Sequence, residues 1–216
     1  MTVAPQTSRL PRSKPQLWSE LRRHVPFTLL GTGTGVVIAG VLIALHLSPG
    51  WTARLFWGLH PLHVLLSAMA TTSLYRHWAR AGWLRSFVVG YIGAVGVATL
   101  SDCVIPYVGE WLVDLPNRGW HIGFIEKWWL VNPMAFLGIG IAWLLPDSTI
   151  PHAGHVLLST WASLFHIQLA LGSGISALAV LVLPVFLFLA VWLPCCTSDI
   201  VLPVLFTRMS GRKRAS

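Results

Sequence analysis

The sequence predicts an all-α, polytopic integral membrane protein with six transmembrane helices arranged as a 3+3 inverted-topology repeat. Three observations predict it. Of the 216 residues, 55% are hydrophobic and 10% charged, against roughly 25% charged in an ordinary soluble domain. The apolar residues fall into long uncharged runs, and a run of about 18 or more reads as a membrane span. Two polar motifs recur inside those runs, in the same order in each half of the chain.

The first run extends from Phe27 to Leu47 and stops at Ser48-Pro49-Gly50. The second starts near Leu59 and ends near Trp78, and the third covers Phe87 to Val108. A polar loop with Glu110, Asp114, Pro116 and Asn117 follows. The fourth run is Trp128 to Leu145, closed by Pro146-Asp147, and the fifth is His152 to Leu171. The last, Ile175 to Phe206, is too long for one plain span of roughly 20 residues. Its Pro184, Pro194 and Pro203 predict kinks or a break. These runs divide the chain into a cytoplasmic arm (1–25), a first three-helix repeat (26–115), a second (116–207) and a basic cytoplasmic tail (208–216).

The formal net charge is +8. The basic residues sit at the two ends and in the loop holding Arg76, Arg80 and Arg85. With six spans these regions share one side, and the Lys/Arg bias makes that side cytoplasmic. The partner implied is the lipid bilayer of the cell membrane, not nucleic acid. Tryptophans such as Trp51, Trp78, Trp83, Trp111 and Trp120 gather at span ends, as in an aromatic belt. Arg54 alone opposes this orientation. The three cysteines, Cys103, Cys195 and Cys196, make no disulfide framework, and no cleavable signal peptide is expected.

The repeat rests on polar matches. His60-Pro61-Leu62-His63-Val64-Leu65-Leu66-Ser67 and His152-Ala153-Gly154-His155-Val156-Leu157-Leu158-Ser159 share H-x-x-H-V-L-L-S. Ser101-Asp102-Cys103-Val104-Ile105-Pro106 and Ser198-Asp199-Ile200-Val201-Leu202-Pro203 share S-D-x-V-[I/L]-P. A weaker echo pairs Gly40–Ala44 with Gly138–Ala142. Each half has an odd number of spans, so the second enters the membrane upside down, as in many secondary transporters.

An ionisable side chain inside a span is costly and marks function by default. Asp102 and Asp199 are such residues. Pro106 and Pro203, four residues on, lack an N–H and act as helix breakers that free the carbonyls of Asp102 and Asp199. The histidines of each pair lie at i and i+3, on one helix face, and Ser67 and Ser159 continue it. Ser101 and Ser198 add hydroxyls beside the acids. Imidazoles with a carboxylate suit a divalent transition metal: zinc, iron, manganese or copper. His60, His63 and Asp102 would form an outer half-site, and His152, His155 and Asp199 an inner one, unless the helices are short enough to merge them.

The expected function is therefore a transporter or channel-like carrier for a divalent metal ion, with proton coupling through His and Asp. Two alternatives stay open: an intramembrane metalloenzyme with a dinuclear or haem-type centre, and an anion carrier or helix-packing subunit of a homo-oligomer or larger membrane complex. The anion alternative rests on Pro61 and Pro151, which suggest that the histidines lie at helix N-termini, where the dipole favours anions.

Overall fold

The computed structural model describes residues 14–45, 48–79, 82–145, 149–171, 177–196 and 206. Every regular element among them is helical. In chain order these are α1 (Lys14–Ala44), α2 (Pro49–Ala79), α3 (Trp83–Thr99), a π turn (Leu100–Val104), α4 (Ile105–Leu112), α5 (Gly123–Glu126), α6 (Trp128–Leu144), α7 (Thr149–Ala170) and α8 (Ala177–Cys196).

Two helices start ten or more residues before the apolar runs do. Lys14–Leu21, Gln16, Leu17 and Glu20 among them, favour helix, so α1 extends into the segment read as an arm. Ser48-Pro49 ends one helix and starts the next. Pro49 takes the first helical position, where its missing N–H costs nothing, and the Ser48 carbonyl accepts Trp51 N–H at 3.0 Å. Consequently α2 begins ten residues before the expected Leu59, and Pro61 lies inside it. His60 and His63 are mid-helix, so the N-terminal dipole does not act on them.

Two helices, Val25–Leu42 within α1 and the continuous Trp83–Leu112 unit, are long and apolar enough to cross a membrane. Trp128–Leu144 and Leu181–Cys195 are shorter apolar helices. The surface they present is apolar: Leu29 and Val37 on α1, Leu84 and Ile92 on α3, Phe136 and Leu144 on α6, Leu181 and Val185 on α8 are all exposed.

α2 and α7 pack against each other along the centre. α1 lies on α7 and α8, whereas α6 lies on α2 and α3. Exchanging the two halves leaves this pattern unchanged, with α1 answering to α6, α2 to α7 and α3 to α8. Small residues allow the approach. A Cβ on Gly31 would meet Thr160 Oγ1 at 2.7 Å, and one on Gly138 would collide with the Leu65 carbonyl and sit 2.9 Å from Ala68 Cβ. Ala68 and Thr160 both follow the repeated H-x-x-H-V-L-L-S directly. The packing therefore aligns Gly31 with Gly138, not Gly40 with Gly138. In that register Pro26-Phe27-Thr28-Leu29-Leu30-Gly31-Thr32-Gly33 matches Pro133-Met134-Ala135-Phe136-Leu137-Gly138-Ile139-Gly140 as P-x-x-x-L-G-x-G.

The core where α2, α3 and α6 meet is built from Val64, Ala68, Ala94, Val95, Ala98, Val131, Ala135 and Ile139. Arg76 closes the end of α6. Its Nη1 donates to the Ala142 carbonyl at 2.7 Å, and its guanidinium lies 3.6 Å from the Trp143 ring centre, satisfying a last-turn carbonyl.

Gly138→Ala is expected to lower stability by about 1–3 kcal/mol, the usual range for overpacking. Gly140→Ala, with nothing within 4 Å of its Cβ position, should be neutral or slightly stabilising. Paired thermal melts in detergent check both.

Candidate functional site

The expected polar residues converge on Asp102. This side chain is fully buried, and four groups donate to it. Oδ2 accepts His60 Nδ1 at 2.9 Å and His63 Nδ1 at 2.7 Å. Oδ1 accepts the hydroxyls of Ser101 at 2.6 Å and Ser159 at 2.8 Å. A carboxylate only accepts, so Nδ1 carries the proton in both rings. Their Nε2 atoms are buried and have no hydrogen-bond partner.

The local backbone explains how the acid reaches these donors. In the π turn the Ile105 N–H bonds the Leu100 carbonyl, five residues back. In that register the next donor would address the Ser101 carbonyl, but Pro106 has no N–H. The freed carbonyl is thus Ser101's, not Asp102's as the proline spacing suggested. Ser163 Oγ lies 2.9 Å from it and supplies the missing hydrogen bond. A π turn widens a helix by one residue and is frequent at functional positions.

α7 brings the second repeat to the same place. His155, Ser159, Ser163 and His166 occupy i, i+4, i+8 and i+11, one stripe of the helix. The His155 ring stacks on His63, centroids 5.9 Å apart and 9° between planes. His60, His63, Asp102, Ser101, Ser159 and His155 therefore form one cluster across the two halves. Ser67 is buried with its hydroxyl unpartnered. The side chain of His152, together with Ser198, Asp199 and Pro203, lies outside the described residues.

A second acid–imidazole pair is one that sequence reasoning missed. Glu110 does not lie in a polar loop; it is buried in α4, and its Oε1 accepts His166 Nδ1 at 2.6 Å. The α7 stripe carried a signal for His166, but nothing in the sequence aimed Glu110 at it. Comparisons with protein-family models, curated proteins and solved structures return no match. Among the described residues no group of three or more His, Cys, Asp or Glu side chains is disposed to hold a metal ion. The Asp102 carboxylate is turned to its four donors, and a Cβ on Gly123 would collide with His60 Nε2. Cys195 is buried against Val156 and Val191.

Asp102→Ala removes the charge that four buried donors share and should cost about 3–5 kcal/mol. Ser159→Ala should cost about 1–2 kcal/mol. The double variant should fall short of the sum by about 1 kcal/mol or more, read from denaturation curves in detergent.

Proposed function

We propose that the chain is a six-span membrane carrier, built from two inverted three-helix repeats, that exchanges a divalent metal ion for protons. The observation that carries this reading is Asp102: a fully buried acid, within a unit apolar enough to span a bilayer, that holds two imidazoles by Nδ1. A carboxylate on Nδ1–H fixes the tautomer in which Nε2 is a free ligand atom. Protons and metal ions compete for that nitrogen, so one site can serve both. Metal entry at His60 Nε2 or His63 Nε2 requires the cluster to open, as alternating access demands.

The interchangeable packing of the two halves and the P-x-x-x-L-G-x-G match support the repeat. The apolar outer surfaces of α1, α3, α6 and α8 support the bilayer, since contiguous exposed apolar area of this kind marks a membrane or protein contact. α2 and α7 turn their histidines, serines and threonines towards protein, where these side chains are buried. The Lys/Arg bias puts the termini in the cytoplasm.

One observation favours a second reading. All four donors around Asp102 are satisfied, as in polar residues that only join helices. Flux decides between them. Protein in sealed vesicles with a zinc-sensitive dye inside should admit zinc faster under an outward proton gradient. Asp102→Asn and His63→Gln should each reduce that flux at least about tenfold. No gradient-dependent flux of zinc or manganese by the native chain would leave the helix-joining reading.

A further inference from the structure

Resting on the carrier reading, we propose that Glu110 and His166 form a proton-relay station between the half-exposed His121–Glu126 pair and the buried His60–Asp102–His63 cluster. The two residues are fully buried and bonded to each other at 2.6 Å, yet each keeps one polar atom without a partner, Glu110 Oε2 and His166 Nε2. A pair that served only to join α4 to α7 gains nothing from two buried unsatisfied atoms, each a cost of about 1–3 kcal/mol. A station that must accept and release protons needs them.

The surroundings fit a relay. His121 stands edge-on to His166, ring centroids 5.4 Å apart. It adopts φ 38°, in the left-handed region that non-glycine residues seldom use, and the Cys103 thiol donates to its carbonyl at 3.2 Å. Its Nδ1 lies 3.6 Å from Glu126 Oε2, with both side chains partly open to solvent. On the inner side the Phe56 ring separates the stations: its centroid lies 5.4 Å from that of His166 and stacks 5.5 Å from that of His60. Among the described residues, Asp102 and Cys103 on the π turn and Lys127, 5.8 Å from the Trp57 ring centre, are further titratable groups nearby. The Arg118–Asp114 ion pair, 3.1 Å long, lies at the exposed end.

Each transfer conserves the proton. His121 accepts one from water and passes it to His166 Nε2. The doubly protonated His166 gives its Nδ1 proton to Glu110 Oε1, leaving a neutral acid and a neutral imidazole. The acid then releases its proton towards His60 Nε2 as Phe56 swings aside. One proton is lost outside and one gained by the cluster; His166 is left protonated on Nε2, and its tautomer must be exchanged back to Nδ1–H before the next transfer.

The test is a pH jump on the whole 216-residue chain in detergent, followed by time-resolved infrared spectroscopy. Proton uptake by the cluster is the signal lost in Asp102→Asn. Glu110→Gln and His166→Gln should each slow that uptake roughly tenfold or more while leaving its amplitude, as removal of a positioned proton-transfer group does. His121→Gln, at a partly exposed position, should slow it in the same direction. A purely structural pair would instead lower the melting temperature and leave the rate within about twofold, and that result overturns the relay while sparing the carrier. Absence of any Asp102-dependent uptake removes proton exchange at the cluster, and the relay with it.

Discussion

One buried carboxylate joins the two halves of this chain. Asp102 takes two imidazoles from α2 and one hydroxyl from α7, and its neighbour Ser101 takes a further hydroxyl from α7 through its backbone carbonyl. An acid in an apolar interior is tolerable only with such compensation. The compensation dictates the rest. The acid must sit on a helix opened by a π turn, the histidines must share one face of α2, and α7 must approach closely enough for Ser159 to reach. Gly31 and Gly138 let α1 and α6 close on the outer sides of the central pair.

The distribution of polarity follows from the same constraint. Histidine, serine, threonine, aspartate and glutamate side chains lie buried between helices, while leucine, valine and phenylalanine are exposed on the peripheral ones. In water this arrangement would be unfavourable on both counts. In lipid it would be favourable, because hydrocarbon would solvate the outer apolar side chains while most of the inner polar side chains hydrogen-bond within the protein. The Glu110–His166 pair repeats the design one level nearer the surface, with His121 and Glu126 beyond it. Imidazole–carboxylate units thus run from a partly exposed position to the centre, interrupted at Phe56.

Much of this was legible in the sequence because polar residues in apolar runs are few and their spacing is informative. H-x-x-H placed His60 and His63 on one face, and S-D-x-V-[I/L]-P marked both the acid and the break in its helix. The helix class followed from run length and composition. What escaped depended on geometry between helices. Ser48-Pro49 reads equally as an end and a beginning, so the start of α2 was set ten residues late and the histidines looked terminal. The glycine echo was aligned on Gly40 because apolar residues match cheaply in any register, and only the contacts of Gly31 and Gly138 selected P-x-x-x-L-G-x-G. The carbonyl freed by Pro106 was assigned by α-helical spacing, which a π turn shifts by one. Glu110 looked like loop because a single charge near a run's end carries no sign of the helix it will face. Helix direction alone leaves separate outer and inner half-sites or one merged cluster open; the His155 ring stacks on His63.

The most direct measurement is of the imidazole nitrogens themselves. Protein labelled with ¹⁵N at histidine should show His60 and His63 with the proton on Nδ1 and an unprotonated Nε2 at neutral pH. Asp102→Asn should shift both resonances together, and Ser159→Ala, a change on the other half, should shift them in the same direction by less. If Asp102→Asn leaves the two histidine signals where they were, or if Ser159→Ala leaves them untouched while Asp102→Asn moves them, no single carboxylate joins the two halves.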